Sequence, residues 1–232
     1  MEKIILIVPM IPVLSALLTQ LFSVRLGHES VRISITGSLL TFVLSLATLW
    51  FALTRPGSHA VSIPETPALL LLDPLSSLMA TVIAGISLIV HIYSRRYMAD
   101  EAGYCRFFIL LDLMTTSLLL MVVAGDLLTL LIAWHLVGVL LYFLLGHDTR
   151  SRSAYRYGFW TFITYRFGDL PLVLAAAVLF HTFHTWSLPE IFASLADNPD
   201  TKTFFDLPVS EVVGALIALS AFARSAQFLL HT

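Results

Sequence analysis

GDLLTLLIAWHLVGVLLYFLLGHDTRSRSAYRYGFWTFITYRFGD, residues 125 to 169, decides the fold, because it sets ionisable side chains inside runs otherwise apolar enough to cross a bilayer. His135 falls near the middle of the run Leu127–Leu145, and Arg166 and Asp169 fall near the middle of the next, Tyr157–Phe180. An ionisable group at that depth costs about 2.5–3.5 kcal/mol on insertion scales, so function is its default explanation. A hydrocarbon core of about 30 Å takes roughly 20 helical residues. Working outward on that measure adds five more runs: Ile4–Phe22, Ile33–Leu53, Leu75–Tyr93, Phe107–Ala124 and Val212–Leu230. The chain therefore reads as an all-α, polytopic membrane helix bundle of about seven transmembrane helices. Continuous runs of this length argue against the alternating strands of a barrel.

Composition agrees. Of 232 residues, 58% are hydrophobic and 12% charged, half the charged fraction of an ordinary soluble domain, about 25%. The net charge of −2 is spread over the loops and gives no footing for a nucleic-acid partner. Cys105 is the only cysteine, which removes disulfide frameworks, cysteine-held iron–sulfur clusters and structural zinc. No cofactor and no metal site is expected. The first run follows Met1-Glu2-Lys3 without a small-residue cleavage site after a short apolar core, and reads as a retained helix.

Loop charge orients the bundle. The links after the first, third and fifth runs carry Arg25, Arg32, Arg95, Arg96, Arg106, Arg150, Arg152 and Arg156, against Lys3, Arg55 and Lys202 elsewhere. The positive-inside rule makes those three links cytoplasmic and the N-terminus external. Only Gly125 and Asp126 separate the fourth and fifth runs, so these form a tight antiparallel hairpin. Residues Arg55 to Pro67 read as an extended outer connection, and Asp73 as a helix cap. In the outer loop from His181 to Ser210, Ser187-Leu-Pro-Glu190 has a capping-box pattern that predicts a short surface helix ending near Asn198-Pro199.

Each intramembrane ionisable residue has a functional and a structural reading. Arg166 and Asp169, three apart, share a helix face and can pair; Gly168 admits a close neighbour, and Pro171 cannot donate to the carbonyl of Phe167. His135, with Gly138 and Tyr142 on the same face, suits a proton relay, a neutral packed histidine, or one of two haem ligands. Arg224, with Gln227 three residues on, keeps its proton and would bias its neighbours; a snorkelling arginine is the alternative. His91, beside Arg95 and Arg96, reads as an anchor at the cytoplasmic end of the third helix.

At these residues the sequence resembles the large antiporter-like subunits shared by respiratory complex I (subunit L type) and Mrp cation/proton antiporters. IVPMIPVLSALL resembles the opening helix of that family, LLLDPLSSLM the start of its third, and HIYSRRYMAD with RFF the next cytoplasmic link. AWHLVGVLLYFLLGH, TYRFGD and ARSAQFLLHT resemble its fifth, sixth and seventh helices, in order. The resemblance implies an inverted-repeat fold, with residues 1–72 as a two-helix segment and outer link and 73–232 as the start of a proton-channel repeat, cut within its last motif. It implies a proton path through His135, Arg166, Asp169 and Arg224, with Tyr142, His91 and Gln227 secondary. In the family a glutamate follows the tryptophan kept here as Trp134, and pairs with a lysine; His135 and Arg224 stand at those positions.

Further implications concern the assembly. The chain would be a proton- or sodium-translocating subunit of a multi-subunit complex of the NADH-quinone oxidoreductase type, in a bacterial inner membrane, with no redox centre of its own. The departures at His135 and Arg224 admit a DAB-type inorganic-carbon uptake complex with a soluble zinc partner resembling carbonic anhydrase. A membrane scaffold that moves no ion is a further alternative.

Overall fold

A computed structural model describes residues 2–55, 57, 59–62, 69–101, 103–147, 152–198, 201–202 and 207–225. The described chain is almost entirely helical. Its elements are α1 (Glu2–Leu26), a 3-10 turn at Gly27–Ser30, α2 (Val31–Thr54), β1 (His59–Ser62), β2 (Leu69–Leu72), α3 (Pro74–Tyr97), α4 (Tyr104–Val123), α5 (Leu127–Leu145), α6 (Arg152–Phe183), α7 (Leu188–Asp197) and α8 (Val209–Arg224). The seven predicted runs fall on α1–α6 and α8. The segments Leu6–Thr54, Pro74–Tyr97, Tyr104–Val123, Leu127–Leu145 and Ser153–Phe183 are long and apolar enough to cross a membrane.

Burial runs opposite to that of a soluble bundle. In α2 the inward face is Ser34, Ser38, Thr41, Ser45 and Thr48, while Leu39, Leu40, Val43 and Trp50 point outward. With hydrocarbon outside there is no gain in hiding leucine, so small residues take the interfaces because they let backbones approach. Apart from that of Ser34, their hydroxyls are satisfied locally, as where Thr41 donates to the carbonyl of Gly37 at 2.8 Å. Thr81 of α3 donates across to the carbonyl of Ser45 at 3.0 Å. α1 packs on α2 and α4, α2 on α3, α4 on α5, α5 on α6, and α6 on α8.

The end of the bundle that holds the α4–α5 turn is tied by backbone bonds. Asp126 caps α5 by accepting from the Thr129 amide at 2.7 Å, and the α4–α5 turn pairs with the segment before α7 through Leu127 N to Trp186 O and Leu188 N to Gly125 O, both 2.9 Å. Asp73 caps α3 in a full capping box with Ser76, as its position predicts. The structure refines one expectation and corrects another. The link before Asp73, which reads in the sequence simply as an extended connection, is a pair of antiparallel strands, β1 with β2 in register His59↔Leu72; Leu70 and Leu72 are buried against Val123 and give the strand its footing. α7 forms as predicted but without the capping box, since Ser187 makes no side-chain cap. The Glu190 carboxylate instead accepts from the Thr185 hydroxyl at 2.5 Å, and that hydroxyl accepts from the Ser187 amide.

Candidate functional site

Close packing of α6 on α8 builds the site. A Cβ on Gly168 would lie 2.4 Å from the Cβ of Ala223, so the two backbones touch at a point only glycine allows. The next residue on each helix is a charge: Asp169 on α6 and Arg224 on α8. Asp169 Oδ1 accepts from Arg224 through Nη2 at 3.0 Å and Nε at 3.2 Å, and from the indole N–H of Trp134 on α5 at 2.7 Å. The other oxygen, Oδ2, faces Arg166 Nη1 at 3.5 Å and His135 Nε2 at 4.0 Å and accepts no hydrogen bond from the described residues. The carboxylate is 2% exposed, whereas the His135 side chain is 35% exposed.

Both guanidinium groups lean on α5. Arg224 Nη2 donates to the carbonyl of Trp134 at 2.8 Å, and Arg166 Nη2 to that of His135 at 3.0 Å. Gly138 makes this possible: a Cβ there would lie 3.1 Å from Arg166 Nη2 and 3.6 Å from Arg224 Nη2. Aromatic faces complete the cradle, with Arg224 4.6 Å from the Trp134 ring centre and 4.9 Å from that of Tyr165, and Arg166 4.8 Å from that of Phe162. Such contacts stabilise a desolvated cation. Two fixed positive charges thus meet one carboxylate, and the cluster carries one positive charge before His135 takes a proton.

His135 Nδ1 lies 2.8 Å from the carbonyl of Leu131. A carbonyl only accepts, so Nδ1 bears the hydrogen and Nε2 is the nitrogen that faces Asp169. The outward side of the ring opens on a groove of about 290 Å³ lined by Leu131, Ile132, Leu136 and Val139.

All four principal residues singled out from sequence therefore meet. The partnership differs from expectation, because Arg224, not the in-helix neighbour Arg166, holds Asp169 most closely. Tyr142 stands apart, packed on Phe162 and Tyr155 beside a cavity of about 430 Å³ that Arg106 also lines. His91 is not an interfacial anchor: it is fully buried and bonded to Asp112 of α4. Gln227 lies outside the described residues. Sequence reading missed Asp112 and the Trp134 donor, although an acid inside the run Phe107–Ala124 carries the same signal that marks His135, and a buried indole N–H must find an acceptor.

Comparison with known proteins places the chain in a family. Residues 65–108 match the family described as NADH-Ubiquinone oxidoreductase (complex I), chain 5 N-terminus, and residues 124–232 match NADH:quinone oxidoreductase/Mrp antiporter, TM. The chain belongs to the antiporter-like membrane subunits of the complex I subunit L and Mrp superfamily. It is 52% identical over 227 residues to a probable inorganic carbon transporter subunit, DabB1, of Halothiobacillus neapolitanus, covering 97% of this chain and 40% of that protein. It is 30% identical over 245 residues to the NADH-quinone oxidoreductase subunit L of Neisseria meningitidis, covering 97% of this chain and 36% of that one. The fold matches a chain in the Mrp complex from Dietzia sp. DQ12-45-1b with a TM-score of 0.79 at 24% identity, over 97% of this chain and 24% of that one. The chain thus spans two-fifths or less of these relatives.

Proposed function

We propose that the Asp169 cluster carries protons across the membrane as part of an antiporter-like subunit. The carrying observation is the asymmetry of Asp169: Oδ1 is saturated by three donors, while Oδ2 is unbonded and 4.0 Å from the one imidazole nitrogen free to accept. At that separation one water, or a small rotation of the carboxylate, joins the two groups. His135 then holds the mobile proton, Asp169 exchanges it, and Arg166 and Arg224 stay charged and set the local potential.

Of the two assemblies, the inorganic-carbon transporter type is favoured over the NADH-quinone oxidoreductase type by 52% against 30% identity over the same share of the chain. In that setting the partner is a soluble zinc protein resembling carbonic anhydrase, and the arginine-bearing links face the cytoplasm of a bacterial cell with the N-terminus outside.

Proton flux in proteoliposomes holding the complete complex tests the reading. Native protein is compared with His135→Gln and Asp169→Asn at matched assembly. Flux that is lost in both variants is expected; native flux that survives both refutes the proton path, and absence of flux in the native complex favours a scaffold that moves no ion.

A further inference from the structure

A second buried acid–base pair lies outside the cluster just described. His91 of α3 and Asp112 of α4 have fully buried side chains, with His91 Nε2 3.1 Å from Asp112 Oδ1. His91 Nδ1 lies 2.7 Å from the carbonyl of Ser87. That carbonyl cannot donate, so Nδ1 carries a hydrogen. The contact between Nε2 and Oδ1 then requires a second proton, seated on either atom. The pair holds it either as imidazolium beside carboxylate or as imidazole beside carboxylic acid, and both forms are neutral. Losing it would leave a lone carboxylate in an apolar interior, which is the costly state.

The surroundings decide where such a proton could come and go. Towards α3 the route closes, because Ser87 Oγ meets Thr115 Oγ1 at 2.7 Å and the Thr115 hydroxyl donates to the carbonyl of Leu111 at 2.9 Å, which ends the chain at an acceptor. On the other side, Asp112 Oδ2 has no hydrogen-bond partner among the described residues, and neither does the hydroxyl of Ser34 on α2. Ser34 and Ser15 of α1 are the side chains that face this carboxyl besides His91. From α1 and α2 the groups facing it are hydroxyls, from α3 His91, and among the described residues no other titratable side chain addresses the pair.

We propose that His91 and Asp112 form a second proton-binding site, which takes up and releases its proton at Asp112 Oδ2 through the hydroxyl of Ser34, since the Ser15 hydroxyl is committed to the carbonyl of Pro12 at 2.9 Å. Uptake breaks a hydroxyl or water O–H bond and forms an O–H bond at Oδ2. The neutral pair becomes imidazolium beside carboxylic acid with one positive charge, and release reverses the step. Its use in transport rests on the proton-path reading of the Asp169 cluster; the existence of the site does not.

Infrared difference spectroscopy of the full-length protein in its native complex, acid minus alkaline, tests this. The expected result is a deuterium-sensitive carboxylic C=O band that is lost in Asp112→Asn, moved in Asp112→Glu, altered in Ser34→Ala and kept in Asp169→Asn. Because Asn keeps the shape and removes only the titration, a correctly assembled Asp112→Asn complex is the informative comparison. A native difference spectrum with no component sensitive to Asp112 overturns the proposal. Flux measured on the same variants separates the two readings: loss in Asp169→Asn with no Asp112 band sinks only this site, and an Asp112 band in a complex without flux sinks only the transport role.

Discussion

Asp169 and Asp112 are both carboxylates sealed inside a helix bundle, each touching an imidazole, yet they are compensated in different ways. Asp169 sits among fixed charges: two guanidinium groups address it, and an indole N–H adds a third donor group. Among the described residues Asp112 has a single titratable partner, His91, and no permanent cation. In the first, protonating the acid strands cations, so the mobile proton of the proposed path rests on His135 and only passes through Asp169; the other can be neutral by moving a proton. The contrast shows two ways to bury an acid in hydrocarbon, by counter-ions that never titrate and by a base that does.

Removal of the acid from the charged cluster is the strongest way to test that contrast. Asp169→Ala leaves Arg224 and Arg166 facing one another with nothing between them, a broken buried pair of the kind that costs about 3–5 kcal/mol. Denaturation in detergent should show that loss, with Asp169→Asn recovering part of it by retaining acceptors for the indole and guanidinium donors. A near-native melting curve for Asp169→Ala would mean that α6 and α8 are held by packing and that the charges are incidental to stability.

Packing itself is probed at Gly168. Alanine there brings two Cβ atoms to 2.4 Å, well inside van der Waals contact, so the helices must part. Overpacking of this kind costs about 1–3 kcal/mol. Because Asp169 and Arg224 adjoin the contact, the same substitution should weaken proton flux with every charge still present. Flux at the native level in a destabilised Gly168→Ala protein would show that the 3.0 Å pairing of Arg224 with Asp169 is not needed in that register.

The membrane spans were legible because each is a long apolar run interrupted by at most a few ionisable residues, and their ends were legible at the Asp73 cap and at the two-residue break Gly125-Asp126. The i, i+3 spacing placed Arg166 beside Asp169. The reach of Arg224 to Asp169 was not legible, since it depends on Gly168 meeting Ala223 across 55 residues of chain. The pairing of β1 with β2 was missed because Leu69–Leu72 is an apolar run without the alternation that announces a strand. His91 was misplaced for a related reason. Counted from the end of α3 it lies near the surface, but α4 packs over it and brings Asp112 to its ring.

The smallest expected effect tests the other half of the contrast. If the His91–Asp112 pair is neutral as a unit, Asp112→Asn removes no net charge from the interior. The His91 ring keeps its Nδ1–H bond to Ser87, and its bare Nε2 can accept from the new amide in place of the shared proton. The loss should then be that of one ordinary hydrogen bond, about 1 kcal/mol, several-fold below the loss in Asp169→Ala in the same denaturation series. A loss as large as that of Asp169→Ala would mean that Asp112 is a permanent anion balancing a permanent imidazolium, and the two sites would then follow one rule. A small loss would leave Asp112 as a carboxyl whose chief property is the proton it holds. That result fits a site spared fixed counter-ions, because an adjacent guanidinium would resist each proton taken up.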